Sequence, residues 1–453
     1  GPLTVLVTAA NLLAVILLFG QRLALTAGWG GFGMDFALRL DRFASFILLA
    51  AAGFGLLLGV YSIAFMAGRR AVSQYFAYFL LTLGMVNGAV LADNLVVLLF
   101  FWEGLLLTLF GMIWIGHAGA FRTAVKAFVI TGVADLCMMA GVALVGHAAG
   151  SLTLSRIPPI ALSGAVPVAA FLLLMIGATA KAGARPFHSW IPDAAIDAPA
   201  PFMAFVPAAL EKLLGIYFLG RLVLELFALR PSSWLSPLLM VIGCATIVLA
   251  VLMALIQTDY KRLLSYHAIS QVGYMILGIG TAVPVGIVGG LFHMVNHAMY
   301  KSCLFLTGGA VERQAGTCDL RRLGGLASSM PVTFGCFVVA AASICGVPPF
   351  NGFFSKELVY DGALARHWGY YAAALAGSFF TAASFLKLGH AAFKGRPAAD
   401  RPAVTEAPKS MLVPMLVIAG LCVVFGVYNP LPLRGLVQPV LGSQMAGHDF
   451  AGL

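Results

Sequence analysis

Between residues 95 and 115 the chain reads LVVLLFFWEGLLLTLFGMIWI, and Glu103 is the only charge in that run. A helix that is apolar all the way round has no face to offer water. About 20 such residues cross the roughly 30 Å of a bilayer's hydrocarbon. Comparable runs, bounded by charges, Pro or Gly, recur near 3–20, 43–66, 73–92, 94–116, 122–147, 164–184, 200–226, 232–256, 262–281, 285–309, 330–364, 370–393 and 410–429. The spacing predicts an all-α polytopic membrane protein of about thirteen transmembrane helices, because helices satisfy their own backbone groups in hydrocarbon and no alternating barrel pattern competes. Composition agrees. The 453 residues are 61% hydrophobic and 10% charged, against about 45–50% and about 25% in soluble domains, which excludes a water-soluble enzyme, a disordered chain and a disulfide scaffold.

The net charge of +10 does not indicate nucleic acid, since Lys and Arg occur singly or in pairs between apolar runs and form no basic block. They fit juxtamembrane anchors. Thirteen lie on the side that holds Arg69, Arg70, Lys261 and Arg262, and seven on the side that holds Arg22, Arg39 and Arg42. The positive-inside rule then predicts a multi-pass protein of the inner (cytoplasmic) membrane with a cytoplasmic N-terminus. The apolar start at 3–20 is read as a first span, being too long for a signal peptide and lacking a small-residue cleavage site; the missing initiator Met suggests a trimmed natural N-terminus. Seven cysteines without CxxC or metal-ligand spacing are expected as small core residues.

Two spans carry breaks. Residues 183–201 read GARPFHSWIPDAAIDAPAP and residues 346–357 read GVPPFNGFFSKE, putting Gly and Pro where a helix cannot continue. With spans three to seven as one unit and eight to twelve as another, each break falls in the fourth helix. Ordinary proline kinks would give the same punctuation, but matching interruptions in two halves are the mark of inverted repeats around a transport path. The expected division is N-terminal helices at 1–72, a first five-helix repeat at 73–230, a second at 231–394, and a C-terminal helix and tail at 395–453.

A charge at mid-membrane costs about 2.5–3.5 kcal/mol even on the lenient insertion scale, so each one inside a span is a candidate for function. Glu103 must face the bundle interior. Lys126 and Asp135 are nine residues apart and occupy different helix faces, with an end-snorkelling Lys and a packing Asp as the plainer alternative. Lys181 ends an apolar run just before the first break; an acidic partner moving toward or away from this amine would change its proton affinity. Glu211 and Lys212, adjacent in span seven, point about 100° apart. His293, His297 and Lys301 stand at i, i+4 and i+8 and stack three titratable groups on one face. No HExxH glutamate follows His293, so a proton relay is expected there and no metal. Lys356 and Glu357 lie beyond the second break. Lys261 and Arg262, beside Asp259, read as an interfacial anchor, and Lys387 has no clear role.

Gly28, Gly30 and Gly33 spell GxGxxG, but the sequence shows no preceding β-strand or βαβ unit, so a dinucleotide site is not expected. No cofactor is expected in this chain, which lacks Walker, flavin and Fe–S signatures. The stretches LADNLVVLLFFWEG, AVKAFVITGVAD, AKAGARPFHSWIPDA, QTDYKRLLSYHAISQVGYM, FHMVNHAMYKSCLFLTGG and GVPPFNGFFSKE resemble the antiporter-like subunits of respiratory complex I, membrane-bound hydrogenases, multisubunit cation/proton antiporters and certain inorganic-carbon transporters. That resemblance implies two inverted five-helix repeats, a coupling pair at Glu103 and Lys181, a central relay at His293 and His297, and a second half-channel at Lys356. The chain departs from the family pattern at Pro207, where many members have His, and at Leu213, where many have Lys; Lys212 stands one position early, through a local shift of the helix or a relay particular to a subfamily. The family's largest complex I member also carries a long lateral helix after its last spans, and this chain ends at Leu453 without one.

The function this implies is proton translocation by one subunit of a larger redox-driven membrane complex, with other membrane and redox subunits and the bilayer as partners. Sodium is an alternative ion. A proton-conducting module paired with a soluble-domain partner, as in inorganic-carbon uptake or sodium/proton antiport, is the alternative function, whereas a quinone-reducing enzyme in its own right would need a cofactor motif.

Overall fold

The computed structural model describes residues 1–29, 35–117, 119–397, 403–445 and 448–452. The chain is mostly helical: α1 (Pro2–Leu18), α2 (Arg42–Met66), α3 (Val72–Leu91), α4 (Leu95–Trp114), α5 (Ala120–Ala149), α6 (Ala165–Ala182), α7 (Ile191–Asp197), α8 (Ala200–Phe205), α9 (Glu211–Arg221), α10 (Leu235–Leu255), α11 (Tyr260–Gly280), α12 (Pro284–Ala315), α13 (Leu326–Ser329), α14 (Pro331–Cys345), α15 (Asn351–Leu364), α16 (Trp368–Gly389) and α17 (Lys409–Val427). A π turn at Val206–Leu210 joins α8 to α9, and another at Leu222–Leu226 extends α9. Among the described residues nine helices are long and apolar enough to cross a membrane. The remaining expected spans fall on α1, on α11 and α12, and on the broken pair α14 and α15.

One expectation needs correction. The fold is not purely α, because Leu23–Gly28 (β1) and Asp35–Leu40 (β2) form an antiparallel hairpin. The segment between α1 and α2 is too rich in Gly and charge for a further span, and β2 gains partners when Asp93 N donates to Ala37 O at 2.9 Å. A strand therefore does precede Gly28, contrary to the sequence reading, but a second strand and not a helix follows it. Gly30 and Gly33 lie outside the described residues, as does the 398–402 part of the C-terminal tail.

Burial is sorted as in a membrane bundle. Leu107, Leu136, Phe379 and Leu386 point outward on α4, α5 and α16, while the 200–223 stretch is covered by its neighbours. Close approach rests on small residues. A methyl added to Gly215 would come within 2.7 Å of Ala178 O, and one on Gly243 within 2.8 Å of Gly273 O, so α9 meets α6, and α10 meets α11, backbone to backbone. Of the seven cysteines, Cys303, Cys318, Cys336 and Cys422 are buried, Cys137, Cys244 and Cys345 are half-buried, and all are free thiols.

Both expected breaks are present and share one hydrogen-bond pattern. Gly183 N donates to Ala180 O and Ala184 N to Thr179 O, each at 2.9 Å; Gly346 N donates to Ser343 O at 3.0 Å and Val347 N to Ala342 O at 2.9 Å. These are matched Schellman caps, with the glycine in the left-handed region at φ +78° and +77°, a conformation that a side chain disfavours by about 1–2 kcal/mol. The X–Pro bonds Arg185–Pro186 and Pro348–Pro349, both cis, follow at the same distance from each cap.

Gly183→Ala would meet Ile191 Cδ1 at 2.5 Å and Lys212 Nζ at 2.9 Å, whereas Gly150, an equally left-handed cap on α5, has nothing within 4 Å of an added methyl. Gly150→Ala is expected to cost about 1 kcal/mol and Gly183→Ala about 2–4 kcal/mol, the excess being overpacking. Denaturation in mixed micelles measures both. Equal losses would show that the first break is not tightly packed.

Candidate functional site

The first half-site is built by three successive helices. Trp102, Asp135 and Lys181 come from α4, α5 and α6, and all three are buried. The Trp102 indole donates to Asp135 Oδ1 at 2.8 Å, and Lys181 Nζ lies 3.4 Å from Asp135 Oδ2 and 4.9 Å above the Trp102 ring. Lys181 and Asp135 expose 1% and 2% of their side chains, so each is the other's counter-ion in a nearly dry setting.

This differs from the sequence expectation, which coupled Lys181 to Glu103. Among the described residues Glu103 has no cation within ion-pair distance, although it interacts electrostatically with both Lys181 and Asp135. It is half-buried beside Trp102. Lys126, nine residues before Asp135, faces elsewhere: it donates to Asp193 Oδ2 at 2.7 Å and to Ser189 O at 3.0 Å, tying α5 to the segment beyond the first break.

The register question at Lys212 has a structural counterpart. A π turn takes an additional residue compared with an α turn, and the one at 206–210, which holds Pro207, immediately precedes Glu211 and Lys212. Both side chains are buried; Lys212 Nζ rests against Gly183, and among the described residues neither Lys212 Nζ nor Glu211 Oε2 has a hydrogen-bond partner. Glu211 interacts electrostatically with Lys212, Lys181 and Asp135. The line continues onto α12, where His297 interacts with Lys212 on one side and with Lys301 and His293 on the other. His297 Nδ1, His297 Nε2 and Lys301 Nζ likewise lack protein partners, and all three groups on the stripe are fully buried. An unsatisfied buried polar group costs about 1–3 kcal/mol, and hydration is the ordinary remedy.

In the second half-site His293 and Lys356 are both held by hydrogen bonds. His293 Nδ1 lies 3.0 Å from Ser355 Oγ, and His293 Nε2 lies 3.1 Å from both Gln271 Oε1 and the Tyr300 hydroxyl. Lys356 is buried, donates to Ile344 O at 2.7 Å and to Ser378 Oγ at 2.9 Å, and sits 5.0 Å from the Tyr274 ring. Its stem lies along the second break, since a methyl on Gly346 would be 3.2 Å from Lys356 Cδ. Asn351, bonded to Ser343 and Asn296, clamps that break from inside. Lys356 and the half-buried Glu357 line a cleft of about 910 Å³ between α15 and α16.

Several partners escaped the sequence reading. His267, Gln271 and Tyr274 on α11 recur at i, i+4 and i+7, a helical spacing that was available. Ser355 and Ser378 gave no such signal, since a lone serine in an apolar helix commonly bonds its own backbone. Lys261 is buried and pairs with Glu312 at 2.8 Å, and Lys387 donates to Leu255 O and Gln257 O at 2.6 Å each, capping the end of α10.

Residues 92–381 match the transmembrane family described as NADH:quinone oxidoreductase/Mrp antiporter, and the chain belongs to that family. It is 34% identical over 410 residues to a probable K(+)/H(+) antiporter protein of Rhizobium meliloti (strain 1021), an alignment covering 87% of this chain and 40% of that one. It is 34% identical over 446 residues to NADH-quinone oxidoreductase subunit L of Mycobacterium tuberculosis (strain CDC 1551 / Oshkosh), covering 91% and 66%. The chain thus spans roughly half the length of the curated relatives it matches. In structure it is similar to a chain of the Mrp complex from Dietzia sp. DQ12-45-1b, with a TM-score of 0.90, 22% identity, and coverage of 98% of this chain and 92% of that one.

Breaking a buried pair by removing one partner costs about 3–5 kcal/mol, while removing both is far milder. Asp135→Asn is therefore expected to lower unfolding stability by about 3 kcal/mol and Lys181→Met/Asp135→Asn to recover most of it, as read in a double-mutant cycle in mixed micelles. Additive losses would mean that the two side chains do not act as a pair.

Proposed function

We propose that this chain is a proton-translocating subunit of a larger energy-converting membrane complex, built from about thirteen spans with inverted repeats at 73–230 and 231–394 and with its N-terminus on the cytoplasmic side. The observation that carries this is the succession of buried titratable groups from Asp135 and Lys181, past Glu211, Lys212, His297 and Lys301, to His293 and Lys356. Ionisable groups at such depth are costly unless they are used. Matched Schellman caps at Gly183 and Gly346 support the repeat relation.

Lys181 lies between two carboxylates of different standing, Asp135 at 3.4 Å and the half-buried Glu103. An input from a partner protein that biases Glu103 would draw the ammonium away from Asp135 and change its hold on its proton. The unpartnered groups on α9 and α12, joined by water, would carry that proton to the hydrogen-bonded set around His293 and Lys356. Redox chemistry is assigned to partners and not to this chain.

Relatives named as components of Na(+)/H(+) and K(+)/H(+) antiporters favour a second reading in which proton flow is exchanged for a metal cation. In membrane vesicles holding the whole complex, His297→Leu and Lys301→Met are expected to slow dye-monitored proton movement at least about a hundredfold, the low end of what a positioned proton carrier contributes. Lys409→Met, at the start of α17, is expected to stay within about twofold. Unchanged rates in the first two variants would remove α12 from the path. Proton movement that stops without sodium or potassium and resumes on their addition would favour exchange over simple translocation.

A further inference from the structure

A second charged region lies away from this path, where the hairpin meets α2 and α9. A cleft of about 590 Å³ is lined by Arg22, Arg39, Asp41, Arg42, Arg221 and Glu225, with the short turn at 439–442 closing one side. Its floor is already neutralised: Arg39 lies 2.7 Å from Glu225 and 3.2 Å from Asp93, while Arg221 lies 2.8 Å from Asp41 and 2.7 Å from Glu225. Arg22 and Arg42 remain. Both are exposed, and among the described residues neither has an acidic group within ion-pair distance.

The apolar surroundings indicate what such a pair would hold. Leu40 lines both this cleft and a narrower one of about 180 Å³ between α1, α2 and α3, whose walls combine Val15, Leu18, Leu48 and Leu91 with Asn11, Ser45 and Asn87. On the outer side of α1, Leu13, Ile16 and Leu17 are exposed. Arg22 follows the last turn of α1, the depth at which a span ends and headgroups begin.

We propose that Arg22 and Arg42 bind the phosphate of an anionic phospholipid, whose acyl chain lies along the exposed apolar face of α1 at Leu13, Ile16 and Leu17. Two guanidiniums match a phosphate diester through charge-assisted, forked hydrogen bonds. The carboxylates in the floor are held by arginines, which leaves none free for a choline or ethanolamine group. A free phosphate would have no use for the adjoining apolar face of α1.

Native mass spectrometry of the detergent-solubilised full chain, titrated with phosphatidylglycerol, phosphatidylcholine or inorganic phosphate, tests this. Phosphatidylglycerol should be retained preferentially. Arg22→Gln and Arg42→Gln should each weaken it about fivefold and the double variant about 25-fold. Arg230→Gln, an exposed arginine in the loop before α10, should leave it unchanged. Circular dichroism matching wild type separates lost binding from lost fold. Equal retention of phosphatidylcholine, or variants within twofold of wild type, would overturn the proposal; displacement by inorganic phosphate would overturn its lipid identity.

Discussion

An ammonium ion inside a lipid-facing bundle needs a counter-ion or other polar acceptors, because hydrocarbon cannot replace its hydration. At Lys181 that need is met by Asp135, whose second oxygen is held by the Trp102 indole. The three residues come from three consecutive helices, so the pair also fixes how α4, α5 and α6 meet. The Schellman cap at Gly183 ends α6 two residues later. A side chain at 183 would crowd Lys212, whose ammonium lies 2.9 Å from where a Cβ would stand.

The second half meets the same constraint differently. Lys356 has no carboxylate among its hydrogen-bond partners; it uses the Ile344 carbonyl, exposed because Gly346 ends α14, and the Ser378 hydroxyl. One lysine therefore precedes its break and the other follows it. Between them α12 contributes a face on which Lys301 and both nitrogens of His297 find no hydrogen-bond partner among the described residues. The two halves thus differ in chemistry while sharing a backbone device, and the unpartnered stretch lies where they join.

Much of this is legible in the sequence, for physical reasons that can be named. Long apolar runs specify helices because the bilayer leaves few alternatives, and Gly-x-x-Pro marks both breaks, since glycine accepts the left-handed cap and proline cannot continue the helix. The hairpin at 23–40 is not legible, because its strands are short and one partner of β2 lies outside the hairpin, in the α3–α4 loop. The family resemblance pairs Lys181 with Glu103, whereas the residues themselves leave the acidic partner open and show Asp135 as a second buried carboxylate. Which of the two reaches Lys181 depends on helix rotation and on the Trp102 bond, and apolar runs without periodicity leave rotation undetermined. The π turn before Glu211 shows in the sequence only as a lysine one position out of pattern.

The central claim is that the Lys181 end and the Lys356 end belong to one path and not to two parallel ones. Proton translocation by the whole complex in vesicles, measured for Lys181→Met, Lys356→Met and the double variant, tests it most directly. A single path predicts that each substitution alone removes nearly all translocation and that the double variant is no worse than the slower single one, the non-additivity of groups acting in series. Singles that each keep about half the wild-type rate, with the remainder lost only in the double variant, would contradict it.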